Sequence, residues 1–291
     1  MDLNRILSVI NVSWVQGTRE TYGMGLLVYH MFCNTRSIPD LQRCPATPLL
    51  VMTFISSCAG SYSGFTLANY VFGIRAWHIL HGQPWSMDDN QVKAALDGTT
   101  NLAPPSSKRP KREPFTLMLI EMLFSKLDPT DLLEAAVRAC LATSFFTLVW
   151  TGEFTVSALD SFDLAADIKH SDIRSATDRN GHHVTVFKIP CTKCSKDSED
   201  VYCTAQLGPV NPIAKLENHF STNNPLHNSH LFAYVHAASH RPLTKCTFLS
   251  RLNTVTTSLG LVPLKGHGVH IGGTLEYLLR GIPFNVVKSM G

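Results

Sequence analysis

Charge is what this sequence has least of. Asp, Glu, Lys and Arg make up only 16% of its 291 residues, and 25 basic against 22 acidic side chains leave a formal net charge of +3. With 44% hydrophobic residues, so sparsely charged a chain is not a solvated, disordered one, and its length buries a core easily. Long apolar runs are also missing. The longest, residues 48–55 and 139–150, fall well short of the roughly 20 residues a membrane helix needs. Residues 1–7 lack a basic start followed by an apolar stretch, so no signal peptide is expected. Neither a repeat nor a low-complexity tract stands out. The eight cysteines at 33, 44, 58, 140, 191, 194, 203 and 246 are scattered, most of them inside apolar stretches, which excludes a disulfide framework and suggests reduced, buried thiols. A soluble, intracellular, globular protein with no membrane partner is expected.

What charge there is lies unevenly. Residues 1–112 hold ten Lys/Arg against six Asp/Glu, while 113–291 hold fifteen against sixteen. A basic first part suits a binder of phosphate backbones. The boundary is marked by Ala103-Pro104-Pro105-Ser106-Ser107-Lys108-Arg109-Pro110-Lys111-Arg112-Glu113-Pro114, whose four prolines cannot continue a helix. The spacing predicts a helical domain over 1–103, a basic linker over 104–114, and a mixed domain over 115–291. Lys108, Arg109, Lys111 and Arg112 suit a linker that follows a phosphate backbone, a nuclear-localisation signal or a solvated loop.

In the first domain, helical periodicity predicts helices from Thr18 or Thr21 to about Thr35, from Pro48 to near Gly60, over 67–80 opened by Ser63 or Thr66, and over 87–96 opened by Ser86 and Asp88. The second domain is predicted to start with an amphipathic helix from Thr116 to about Leu127. A largely apolar, buried helix over 131–150 follows, and then a hairpin pairing Val184-Thr185-Val186-Phe187-Lys188-Ile189 with Val201-Tyr202-Cys203-Thr204. Helices return at 212–220, 245–259 and 272–279. The expected class is mainly α, with an α+β second domain.

The chemistry concentrates near the end, in Lys265-Gly266-His267-Gly268-Val269-His270-Ile271-Gly272-Gly273-Thr274-Leu275. This stretch resembles the His-x-x-Arg signature of the tyrosine recombinases (the phage-integrase family), with His270 in place of the arginine. The order of elements resembles that family as well: a helical core-binding (SAM-like) domain, a basic linker, a buried helix, a β-hairpin and the motif helix. Thr66-Leu67-Ala68-Asn69-Tyr70-Val71-Phe72-Gly73-Ile74-Arg75-Ala76-Trp77-His78 is similar to the family's Thr-Ile-x-x-x-Leu-x-x-Ile-Arg-x-x-His helix. The likeness extends over nearly the whole chain and is greatest to the fungal DNA breaking-rejoining enzymes, mobile-element recombinases.

The resemblance implies a site in which a tyrosine attacks a DNA phosphodiester and forms a 3′-phosphotyrosyl link, with no cofactor and no metal. Two arginines hold the non-bridging oxygens, a hairpin lysine protonates the leaving oxygen, and histidines assist. Carried over residue by residue, Glu153 in Leu148-Val149-Trp150-Thr151-Gly152-Glu153-Phe154 matches the motif glutamate, and Trp150 occupies the arginine position. Lys193 is the best match for the hairpin lysine, with Lys188 and Lys196 as fallbacks. His267 matches the motif histidine. Trp150 offers one N–H and no charge, and is expected to be a packed core residue. The sequence stops at Lys288-Ser289-Met290-Gly291, before the segment that carries the family's nucleophile. The resemblance therefore implies a C-terminally truncated, catalytically inactive, nuclear DNA-binding protein that is monomeric when free and whose partner is double-stranded DNA. Arg75 joins the linker cations as a candidate DNA contact; Arg36, Arg43 and Lys93 have no better claim.

Other readings stay open. A substitute tyrosine (Tyr277, Tyr234 or Tyr202) would make the chain an active breaking-rejoining enzyme, and a decayed fragment would bind nothing. His267 and His270 also fit an ordinary loop-and-helix pair, and Lys193 an ordinary hairpin lysine. Cys191, Cys194 and Cys203 with His182 or His183 invite a zinc site, but the second half lacks a paired ligand spacing, and no metal is expected.

Overall fold

The computed structural model describes residues 5, 8–10, 12–107, 113–178, 181–192 and 197–290. The chain divides into two compact units, Met1–Pro110 and Lys111–Gly291, each with its own hydrophobic core. The described residues are mainly helical, with one small antiparallel sheet and a two-stranded ribbon.

The first unit carries helices α1 (Gln16–Thr35), α2 (Pro48–Cys58), α3 (Gly64–Leu80) and α4 (Asp89–Leu102). Side chains open three of them. Thr47 accepts the N–H of Leu50, Ser63 that of Thr66, and Asp88 those of Asn90 and Gln91, satisfying amides that have no partner in the first turn. The fourth differs from expectation, because α1 starts after Val15 with no side-chain cap. Thr21 lies inside it and donates its hydroxyl to the Gly17 carbonyl. α1 and α3 approach backbone to backbone: a Cβ on Gly25 would meet the Tyr70 Cα at 2.6 Å, and one on Gly73 the Tyr22 carbonyl oxygen at 2.6 Å. Tyr29, Phe54, Leu67 and Ile74 fill the core, and the Tyr29 and Phe54 rings meet edge to face at 5.4 Å.

In the second unit, Thr116 caps α5 (Leu117–Phe124) and Asp131 caps α6 (Leu132–Thr147). Every α6 side chain from Ala135 to Thr147 is buried, so the core forms around this helix. α6 ends short of the expected Trp150, at Leu148 in the left-handed conformation (φ 58°). A bulky residue adopts it only under tertiary constraint, and Leu148 is fully buried.

The sheet runs β1 (Ile173–Thr177), β2 (His183–Ile189), β3 (Glu199–Cys203), with Ile173 opposite Phe187 and Thr185 opposite Cys203. Its β2–β3 pair is the predicted hairpin. Helices α7 (Pro212–Asn223) and α8 (Lys245–Ser258) flank the ribbon β4 (Tyr234–His236) and β5 (Ser239–Arg241), and α9 (His267–Leu279) and α10 (Phe284–Met290) follow. No helix among the described residues is long and apolar enough to cross a membrane.

Candidate functional site

α9 begins at His267 rather than at Gly272, so both motif histidines lie in its first turn, where residues three apart share a face. The helix is held by backbone approach. The Phe115 N–H donates to the Gly268 carbonyl at 3.0 Å. A Cβ on Gly272 would come within 1.9 Å of the Phe115 carbonyl oxygen, and one on Gly273 within 2.1 Å of that of Phe145. Gly266 passes Thr151 so closely that a Cβ there would meet its Oγ1 at 2.8 Å. The three glycines thereby set α9 against Phe115, the last turn of α6 and the loop that follows it.

The consequence is a cluster of the predicted positions. Trp150 stacks on His267, ring centroids 4.7 Å apart and planes 19° apart, and lies 4.5 Å from the His270 ring. The His267 and His270 rings are 6.2 Å apart, and His270 Nδ1 is hydrogen-bonded to the Thr274 hydroxyl at 3.2 Å. Trp150 is 37% exposed and is not a packed core residue. Leu148, in its left-handed turn, takes the buried position and leaves the indole facing outward.

Glu153 closes the turn. Its N–H donates to the Trp150 carbonyl at 2.8 Å, and its Oε2 accepts the Trp150 N–H at 3.2 Å. A cavity of about 510 Å³ opens here, lined by Trp150, Glu153, Asp167, Thr192, Lys245 and His267 among others. Burial raises the Asp167 carboxyl pKa, while its Oδ2 accepts the Asp163 N–H at 2.9 Å. Asp167 and Lys245 escape a reading of the sequence alone, since they stand far from any motif. The only available signal for Lys245 is its place beside Thr244, a helix-capping residue.

The predicted site residues are not all in this cluster. Lys193, the linker residues Lys108, Arg109, Lys111 and Arg112, the fallback Lys196, and Cys194 of the zinc reading lie outside the described residues; Cys191 and Thr192, just before Lys193, line the cavity. Lys188 projects from β2 as an exposed side chain. Among the described residues no group of three or more His, Cys, Asp or Glu is placed to hold a metal.

In the first unit, Arg75 is exposed on α3 and lines a groove of about 460 Å³ with Phe65, Phe72 and Lys93. His78, from the same motif, is fully buried. Its Nε2 accepts the Ala46 N–H at 2.8 Å, so its Nδ1 carries the proton and donates to the Ile74 carbonyl at 2.7 Å. Burial lowers its pKa. Arg43 is structural too: Nε and Nη2 donate to the Ile38 carbonyl at 2.9 and 2.7 Å, and Nη1 pairs with Asp40 at 3.0 Å.

The tyrosines are equally informative. None lines the cavity among the described residues. The Tyr277 hydroxyl donates to the Phe146 carbonyl at 2.7 Å, and burial pushes its pKa up to about 12. Tyr234 is buried, whereas Tyr202 is 58% exposed on β3.

Neither the protein-family models nor the curated protein sequences give a match to this chain. Solved structures do. The XerH site-specific recombinase, bound to a palindromic difH substrate in a post-cleavage complex, aligns with a TM-score of 0.52 at 16% identity, over 93% of this chain and 75% of that one. An FLP recombinase–Holliday junction complex aligns with a TM-score of 0.43 at 11% identity, over 72% of this chain and 52% of that one. A related Flpe–Holliday junction complex gives 0.43 at 12% identity, over 99% and 74%. The chain therefore spans about half the length of the first of these FLP chains and three quarters of XerH. Built of a helical unit and a helix-rich unit with a small antiparallel sheet, the chain has a tyrosine-recombinase-like fold.

Proposed function

We propose that this protein binds double-stranded DNA as a recombinase-like clamp and does not cleave it. Residues 1–103 act as the core-binding domain and 115–291 as a relic catalytic domain. Arg75, Lys108, Arg109, Lys111 and Arg112 meet the phosphate backbone, and Lys193, His267 and His270 are what remains of the phosphate pocket. The observation that carries this reading is the stack of Trp150 on His267 beside His270, in the positions where the family resemblance calls for two arginines and a histidine.

The chemistry follows from the groups present. An arginine clamps two non-bridging oxygens with a fixed fork of charged donors. An indole has one neutral donor, and an imidazole has two single ring nitrogens and no fork of donors. Removing one preorganised donor typically costs about 10²–10³ in rate, and here both clamps are replaced. Binding survives such a change, since it draws on many backbone contacts. A mobile-element origin and a nuclear location accord with the family likeness, and a monomer is expected in free solution.

The test is gel mobility of a mixed-sequence duplex at low and high salt, with half of each sample denatured in detergent. Salt-sensitive binding without a covalent band is expected. A covalent band counts against inactivity and for a substitute nucleophile. Tyr277→Phe then has a clear meaning, because its hydroxyl is already engaged by Phe146: it leaves binding unchanged, whereas loss of a covalent band in that variant would make Tyr277 the nucleophile. Absence of any binding favours a decayed fragment.

A further inference from the structure

We infer that Lys245 is the cation that holds a DNA phosphate in the cavity beside Trp150, an inference that rests on the DNA-binding reading above and names the residue doing the work. Lys245 is the first residue of α8 and lines the 510 Å³ cavity together with Trp150, Glu153, Asp167 and His267. Its Nζ passes over Gly152, 3.8 Å from where a Cβ on that residue would stand, so the ammonium lies over the turn that follows Trp150. The backbone of Lys245 is anchored: its N–H donates to the Val156 carbonyl at 2.9 Å, and the preceding Thr244 caps the helix by accepting the Thr247 N–H at 3.1 Å. Its side chain, in contrast, makes no ion pair or hydrogen bond with any described residue, and it is exposed.

The two carboxylates of the cavity do not claim this cation. Glu153 accepts the Trp150 N–H and Asp167 the Asp163 N–H, and neither forms an ion pair with Lys245. A lysine that is fixed at its base, free at its tip and aimed into a cavity acts as a point charge for a phosphate oxygen. The α8 N-terminus adds its positive dipole end on the same side. Charge that Trp150 cannot provide at the arginine position thus arrives from a different helix, and a lysine, unlike an arginine, holds one oxygen without the bidentate fork. That is enough to bind and too little to clamp a transition state.

The test is duplex affinity measured over a salt series for the wild type, Lys245→Ala, Lys245→Arg and, as a control, Lys126→Ala. Lys126 is exposed in the same unit and lies outside the cavity. Lys245→Ala is expected to weaken binding about 3- to 10-fold and to shallow the log–log salt slope by about 0.9, the share of one phosphate contact. Lys245→Arg should stay within about twofold, and Lys126→Ala should leave both unchanged. If the wild type binds and Lys245→Ala behaves like Lys126→Ala, the inference is overturned while DNA binding stands. Titration with pyrophosphate, followed through Trp150 fluorescence with Trp150→Phe as the blank, separates the two readings. Should the wild type bind no duplex yet show a Lys245-dependent pyrophosphate response, the phosphate contact survives and the DNA reading falls; with neither response, both fall.

Discussion

Trp150 and His270 concentrate the functional question into two side chains. Trp150 packs on His267 and beside His270, so arginines at positions 150 and 270 would bring charge to the rim of the cavity. Trp150→Arg with His270→Arg is expected to raise duplex affinity several-fold and to steepen the salt slope by about 0.9 for each phosphate regained. Filter-binding isotherms across a salt series check this, and an unchanged slope would place both side chains outside the DNA path. His78 shows the opposite kind of residue. The Arg-x-x-His pattern suggests chemistry, yet His78 is a buried bracket between Ile74 and Ala46. His78→Ala leaves the Ala46 amide without a partner and opens a void. It should cost about 2–3 kcal/mol in urea unfolding while Arg75→Ala costs almost nothing. A histidine in a motif does not announce from the sequence whether it faces solvent or packing; that depends on which loop the fold brings against it.

At the scale of elements, the sequence is most legible where one signal dominates. Asp131 and the apolar run after it define α6, and β-branched alternation defines β2. What escaped detection lacks such a signal. β1, Ile-Arg-Ser-Ala-Thr, is mostly exposed with a single β-branched residue at each end, and exists because β2 offers it an edge. The start of α9 was hidden by its glycines, which lower helix propensity by roughly 1 kcal/mol each. Here they are required, because the helix can only fit with no side chain at Gly272 and Gly273. Gly272→Ala should therefore destabilise by about 3 kcal/mol, a fall in Tm on the order of 10 °C. Gly152→Ala, whose nearest neighbour is the flexible tip of Lys245, should leave Tm nearly unchanged. Calorimetry of the two variants decides it, and equal Tm values would contradict the close approach.

At the scale of the molecule, the second unit carries a pH dependence written in its core. His219 and His230 are both buried. His219 Nδ1 accepts from the Asn223 side-chain amide and its Nε2–H donates to the Leu231 carbonyl; His230 Nδ1 accepts the Phe232 N–H. Burial lowers His219 to about 4 and His230 to about 3, from an ordinary 6.5. Below pH 6.5 the unfolded chain therefore takes up protons that the folded one refuses, and stability falls as pH falls. By pH 5 the loss is on the order of 2 kcal/mol per histidine, complete only below the folded pKa values. Urea unfolding at pH 7 and pH 5 measures it, and a flat profile would show that the two rings are already charged or exposed.

The close packing of α9 has one more consequence. Because bare backbone at Gly266, Gly272 and Gly273 seats the helix, the place of α9 beside the cavity is set by backbone contact rather than by the histidines it carries. Position and chemistry are separable in such a site, and the side chains at 267 and 270 can be exchanged one at a time while the seat persists. A seat of this construction accepts new side chains at its rim without being rebuilt.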